Sequence, residues 1–394
     1  FYFNSTMGWG STRWGGYTIK NLHIDGGGGS AITQGIGIFR TVRNITIENV
    51  TISNVASFGG CSGQSAYAYP KNITWRNNTL SYALGNGITT FGCDNVLIEG
   101  GTIDHAAYEA STNGNKGFYH AIYASGREEN NGPARGVVIR NITITNTGYG
   151  VTDIAGASTK CATAVIVGHA EAEDWLFEGI TIKQTVGTAI GGCYGISMTP
   201  ANYDLKPEYF RRFTLRANTV INVGNVGMLL AACQPCTVEN NVIVQEDNWE
   251  FNGIRIEQSG VPPVQDNQAV ILRNNSVYQF GAAATGDSTG ISLGGSGTNH
   301  VVVNNLVVFG AGTAGGKRCF GDLLAASAYS IWDNNACANH QGWTSSYASK
   351  AAFSAARSGH DTNGLDLAST AAAGLVAVPS SSNNWSMQIQ TTSP

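Results

Sequence analysis

One phrase recurs along the chain and leaves little choice of fold: apolar-x-apolar-polar-Asn/Gly-Asn/Gly-x-apolar. It reads ITIENVTI around Asn49, ITWRNNTL around Asn78, VLIEGGTI around Gly101, VVIRNITI around Asn141 and WLFEGITI around Gly179. It continues as FTLRANTV around Asn218, CTVENNVIV around Asn241, VILRNNSV around Asn275, VVVNNLVV around Asn305 and SIWDNNAC around Asn335, with LHIDGG around Asp25 opening the series. Each copy reads as two short alternating strands joined by a polar bend, where Asn or Gly tolerates left-handed dihedrals that other residues resist. A further strand closes each unit, as in GITTFG from Gly87, AIYASG from Ala121, AVIVGH from Ala164 and GIRIEQ from Gly253. Three strands per turn at this period predict an all-β fold, a single right-handed parallel β-helix of about eleven coils. A β-propeller would need four antiparallel strands per repeat with hairpin turns, and Asn-Gly or Asp-Gly signals are scarce.

A solenoid explains how 394 residues form one unit, because each coil brings its own core. Boundaries follow: an N-terminal extension over 1–16, the β-helix over 17–343, and a C-terminal cap with an extended tail over 344–394. Charged residues make up only 12%, so solubility must rest on Asn, Ser, Thr and Gly, and the 51 glycines imply corners rather than helices. A net charge of −4 without a basic block gives no long-range attraction for nucleic acid or an anionic membrane. No apolar run is long enough to insert in a bilayer, and FYFNSTMGWGSTRWGG lacks a signal-peptide pattern, so the chain reads as mature, trimmed or fragmentary.

Eight cysteines fall in neighbouring pairs: Cys61 with Cys93, Cys161 with Cys193, Cys233 with Cys236, and Cys319 with Cys337. Disulfides in an oxidising compartment are expected, and with them a secreted or cell-surface location; buried free thiols are the alternative. Metal binding is the weaker reading, since the single CxxC has no second ligand pair at zinc spacing, and no cofactor is expected. Eight Asn-x-Ser/Thr sequons, at Asn4, Asn44, Asn49, Asn72, Asn77, Asn141, Asn274 and Asn384, mostly coincide with the repeated phrase. The bend explains them better than glycosylation does.

From Tyr17 to Trp343 the repeated phrase resembles the pectin-lyase-like superfamily of right-handed β-helix proteins, which includes pectate and alginate lyases, polygalacturonases, epimerases and phage tailspikes. FSAARSGHDTNG from Phe353 is similar to the terminal cap of secreted bacterial members. The resemblance implies an extracellular protein whose partner is a polysaccharide. A polygalacturonase is disfavoured, because Arg255-Ile256-Glu257 is the one fragment of that subfamily's motifs present. Ile103-Asp104-His105 is similar to part of the pectate lyase pattern but lacks its Trp.

Spacing between the marks locates a candidate site. The intervals from Gly101 to Asn141, Gly179 and Asn218 are 40, 38 and 39 residues, against 23 to 34 elsewhere. Extra length in a solenoid projects as loops on one side, the walls of a groove. These coils also hold His105, His120 and His169, with Asp104, Tyr108, Glu109, Tyr119, Tyr123, Arg127, Glu128, Glu129, Asp153 and Lys160. Strand alternation puts Ile122 and Ala124 inward and Tyr123 and Ser125 outward.

Cleavage of a uronic-acid glycan by β-elimination needs a cation on the sugar carboxylate, a base for the adjacent C–H and an acid for the leaving oxygen. Arg127 or Lys160 suits the first role, His120 the second and Tyr123 the third; such a set is similar to those of alginate-type lyases. Tyr108, His105, Asp153, His169 and, about four coils away, Arg255 are expected to contact substrate. Hydrolysis would need paired carboxylates from Asp104, Glu128, Glu129 and Asp153. A lyase on an acidic polysaccharide is the leading expectation. A non-catalytic β-helix that binds glycan or self-associates, and a hydrolase, are the rivals.

Overall fold

The computed structural model of the chain describes residues 1–4, 15–27, 34–63, 69–107, 119–127, 132–148, 164–184, 194–200, 208–246, 251–257, 266–280, 287–310, 316–322, 324–357 and 359–367. Its strands stack in parallel register. Sheet A holds eleven of them, from Tyr2–Asn4 to Lys317–Asp322, including Ile88–Phe91, Ile122–Ser125, Ala164–His169, Tyr194–Met198, Val226–Ala231, Asn252–Glu257 and Ser288–Leu293. Tyr2–Asn4 falls within the segment read as an extension, yet pairs with Ile36–Phe39 as the first strand of the sheet. Two further ladders flank the polar bend. Sheet B begins at Gly15–Lys20 and reaches Tyr329–Asp333, sheet C begins at His23–Asp25 and reaches Leu365–Leu367, and the long strands Lys71–Ala83 and Asp94–Asp104 run through both. Among the described residues no helix is long and apolar enough to cross a membrane.

The phrase period builds the core directly. Every second residue points inward and lands on its equivalent one rung away, so Ile88, Ile122, Ile166, Ile196, Met228, Ile254, Ile291 and Phe320 form one buried column of sheet A. Each such side chain contributes roughly 1.5–3 kcal/mol by leaving water. At the C-terminal end the helix Lys350–Ala356, capped by Ser349, lays Phe353 on Trp332 and closes the column.

The bend divides its labour between two residues. Where two polar residues are adjacent, the first takes the left-handed conformation, as in Asn240 (φ 56°), Asn274 (55°), Asn304 (56°) and Asn334 (57°). The second turns inward and is buried. Asn218, Asn241, Asn275, Asn305 and Asn335 thus form an internal amide ladder, each Nδ2 donating to the next Oδ1 at 2.9–3.0 Å. Asp361 ends it, its Oδ1 accepting from the Asn335 backbone N–H at 3.0 Å while Oδ2 has no partner. Burial pushes the Asp361 carboxyl up to about 6 from the ordinary 3.8. A raised folded value means stability that is complete below about pH 4 and lost as pH rises through about 6. Asp361→Asn should therefore raise the thermal midpoint at pH 8 and lose that advantage at pH 4. Equal midpoints at both pH values would show that the carboxylate is accommodated without cost.

Outside the solenoid, charge alternates rung by rung. Lys20, Glu48, Arg76, Glu99, Arg140, Glu178, Arg216, Glu239 and Arg273 occupy successive rungs of one outward column of sheet B. Ion pairs join Arg76 to Glu99 (3.2 Å), Arg216 to Glu178 (2.6 Å) and Arg273 to Glu239 (2.6 Å). A pairing error of one rung would set like charges side by side, so the column specifies register more than it adds stability.

Cys61–Cys93, Cys233–Cys236 and Cys319–Cys337 are disulfides, with Cα atoms 6.4, 5.3 and 5.9 Å apart. Cys161 and Cys193 lie outside the described residues.

Candidate functional site

The outward residues of sheet A fall on one line. Thr89, Tyr123, Val167, Ser197, Leu229, Arg255 and Ser292 are neighbours in register, which puts Arg255 four rungs from Tyr123. Val167, Ser197, Leu229 and Ser292 are buried although they point out of the solenoid, whereas outward Thr79, Thr102 and Thr143 on sheet C are exposed. The line is therefore a sheltered floor.

Tyr123 stands between two histidines. The His120 ring lies nearly parallel to it with centroids 5.7 Å apart, and the His169 ring meets it edge-on at 5.8 Å. His120 precedes the strand, where its backbone N–H donates to Asn86 Oδ1 at 2.8 Å and its Nδ1–H to the Ala164 carbonyl at 2.9 Å. It is only 4% exposed. Burial, with a smaller contribution from His169, pushes it down to about 3 from 6.5. His169 ends its strand and donates Nδ1–H to the Thr199 carbonyl at 2.6 Å. Burial lowers it too, against the opposing pull of Thr199 and Glu208. Both rings are thus neutral in neutral solution, each with Nδ1–H donated to a backbone carbonyl and a lone pair on Nε2.

Arg127 is committed within the fold. Its guanidinium pairs with Asp94, donates from Nε to the Gly92 carbonyl at 3.2 Å and lies 4.4 Å over the Tyr69 ring. Asp94 also takes Lys71 at 2.8 Å. Asp94 was missed from sequence; its one signal was an acid beside Cys93. His105 does not join the line on sheet A. A left-handed backbone (φ 51°) at the end of Asp94–Asp104 turns it onto Asp104, 2.7 Å away, and onto the Tyr82 ring at 4.8 Å. Asp104 also accepts from Thr145 and Asn146, and these bonds together outweigh burial to lower its carboxyl. Arg255 pairs with Glu257 at 2.5 Å and remains exposed. Tyr108, Glu109, Glu128, Glu129, Asp153 and Lys160 lie outside the described residues.

A search of solved structures returns the same architecture. A tailspike protein mutant of E. coli bacteriophage HK620, in complex with a pentasaccharide, superposes with a TM-score of 0.54 at 14% identity. The chain folds as a right-handed parallel β-helix. A double mutant of that tailspike matches this β-helix with a TM-score of 0.53 at 13% identity; both matches cover 82% of the present chain and 56% of the tailspike. The β-helix thus spans little more than half of the tailspike structures it matches. Residues 121–309 match the family described as periplasmic copper-binding protein (NosD). No curated protein matches the β-helix.

Copper does not fit the described residues of the matched segment. Cys233 and Cys236 have no third His, Asp or Glu donor beside them among the described residues, Met198 and Met228 are buried in the core, and His300 is buried with Nδ1 accepting from the Val270 N–H. No three His, Cys, Asp or Glu donors converge among the described residues of that segment.

Proposed function

We propose that this β-helix binds an acidic polysaccharide along the outer line of sheet A and cleaves it by β-elimination. The observation that carries the reading is Tyr123 held between two neutral histidines on a sheltered floor that leads to Arg255. A base for a C–H beside a carboxylate must be unprotonated, and burial keeps His120 and His169 in that state. In His169 the Nδ1–H is spent on Thr199, so Nε2 carries the basic lone pair. His169 is the more exposed of the two and takes the proton, while His120 packs along the Tyr123 ring and the Tyr123 hydroxyl protonates the leaving oxygen. Asp94 already neutralises Arg127, which favours Lys160 for the substrate carboxylate. Arg255 binds a sugar carboxylate further along the line.

A polysaccharide ligand is supported by the likeness to a tailspike solved with a pentasaccharide, and an extracytoplasmic location by the disulfides Cys61–Cys93 and Cys233–Cys236. Incubation with alginate, pectate and glucuronan should release unsaturated ends detectable by ultraviolet absorbance on at least one of them. New reducing ends without that absorbance would make the protein a hydrolase. Binding with no cleavage would make it a glycan-binding scaffold.

A further inference from the structure

We propose that Cys319, Cys337 and His340 form a redox-gated site for a thiophilic cation, Zn2+ or Cu+, at the C-terminal end of the solenoid. Cys319 lies on Lys317–Asp322 of sheet A and Cys337 on Ala336–Ala338 of sheet C, and both are fully buried. His340 follows two residues after that second strand. The two sulfurs and a ring nitrogen of His340 all lie within 4.8 Å of one another, the one such convergence of three metal-type donors among the described residues.

His340 supplies the independent sign of a ligand. Its side chain is 7% exposed, and Nε2 makes a 2.8 Å hydrogen bond to Asp366 Oδ1. An ionised carboxylate only accepts, so Nε2 carries the proton and Nδ1 of the neutral ring is a bare lone pair. That Nδ1 is buried with no hydrogen-bond partner. Buried polar atoms rarely go unpaired, and a carboxylate holding the far nitrogen of an imidazole is the arrangement that orients a metal-ligating histidine. The Trp343 ring packs edge-on against His340 at 5.9 Å and adds an apolar wall. Two thiolates with one imidazole select soft cations over Mg2+ or Ca2+. Neither Cys61–Cys93 nor Cys233–Cys236 has such a histidine among the described residues.

In the structure the two sulfurs form a disulfide, which is the closed state of the site. An external dithiol opens it. Its two electrons break the S–S bond, its two protons pass to Cys319 and Cys337, and it leaves as its own disulfide. Binding of the cation then displaces both protons to solvent, with the His340 lone pair as third donor. The cation would replace the covalent tie between sheets A and C and would reach, through His340, Asp366 on the last strand Leu365–Leu367. The site lies outside the segment that matches the copper-binding family.

The test uses the full chain, oxidised and after anaerobic reduction with a phosphine, titrated with Co2+ as the visible stand-in for Zn2+. A parallel arm uses Cu+ in competition with a chelator. Reduced protein should take up one cation with a thiolate-to-cobalt absorption band, and oxidised protein none. His340→Gln and Asp366→Asn should each weaken uptake about 10–100-fold, the range expected for losing support of a metal-bound imidazole, or more for the ligand itself. Tighter retention in the Cu+ arm or in Zn2+ displacement of Co2+ identifies which cation is held. A band undiminished in the Cys319→Ser/Cys337→Ser double variant, wild-type uptake by His340→Gln, or no uptake by reduced protein would each overturn the proposal. Far-UV circular dichroism reports folding, and if the double variant fails to fold, His340→Gln and Asp366→Asn decide the matter.

Discussion

Replacing Tyr123 with Phe is expected to lower glycan cleavage about 100-fold or more while changing KM only a few-fold, since general acid catalysis contributes roughly 10²–10⁴. The substitution removes one hydroxyl and keeps the ring that His120 stacks against at 5.7 Å and that His169 meets at 5.8 Å. These ring contacts therefore survive, and the hydroxyl that transfers the proton is lost. The opposite result, an unchanged kcat with a raised KM, would reduce Tyr123 to a stacking platform and end the β-elimination assignment for this site. The pH profile supplies a second readout. Because burial holds His120 near 3 and His169 below its usual value, activity should not fall through an imidazole titration near 6.5 as the solution is acidified. Loss of rate centred there would mean that the base is an exposed histidine elsewhere.

The repeated phrase made the fold readable because a parallel solenoid converts a sequence period into a spatial column. The inward Ile122, Ile166 and Ile196 and the outward line from Tyr123 to Arg255 both follow from strand alternation and period alone. What could not be read was which side chain meets which across rungs. Arg127 sits just beyond a strand end, where a substrate-facing cation was expected, but the preceding rung brings Asp94 beneath it. His105 lies two residues from an inward Ile103, and only its left-handed backbone sends it to Asp104 rather than to the groove. The alternating charges had a visible signal, since Glu48, Arg76, Glu99, Arg140 and Glu178 all occupy the same position of the phrase. Alternation becomes an ion-pair column only once the register is known. The convergence of Cys319, Cys337 and His340 likewise depends on strands of two sheets meeting at the end of the coil.

Asn275→Ala should destabilise the protein by roughly 3–5 kcal/mol, whereas the neighbouring Asn274→Ala should cost only about 1 kcal/mol. The two residues are chemically identical and adjacent, so the difference isolates position. Asn274 is exposed and supplies a left-handed bend that Ala217 already occupies at φ 54° two coils earlier. Asn275 is fully buried; its Nδ2 donates to the Val238 carbonyl at 2.8 Å and to Asn305 Oδ1 at 3.0 Å, and its Oδ1 accepts the Asn241 N–H and Nδ2. Truncation strands the Asn241 N–H and one of its two Nδ2 hydrogens, the other staying on the Leu215 carbonyl, and removes the donor to the Val238 carbonyl; each buried unpaired group costs about 1–3 kcal/mol. It also cuts a ladder whose members polarise one another, so the loss should spread to the rungs on either side. Urea midpoints followed by circular dichroism test the magnitude, and amide exchange tests the spread, since long repeat arrays need not unfold in two states. Exchange should quicken at Asn241 and Asn305 in Asn275→Ala but not in Asn274→Ala. Equal midpoints for the two variants would mean that the interior amides are passive fillers, and that the outward charge column and the apolar core hold the rungs in register without them.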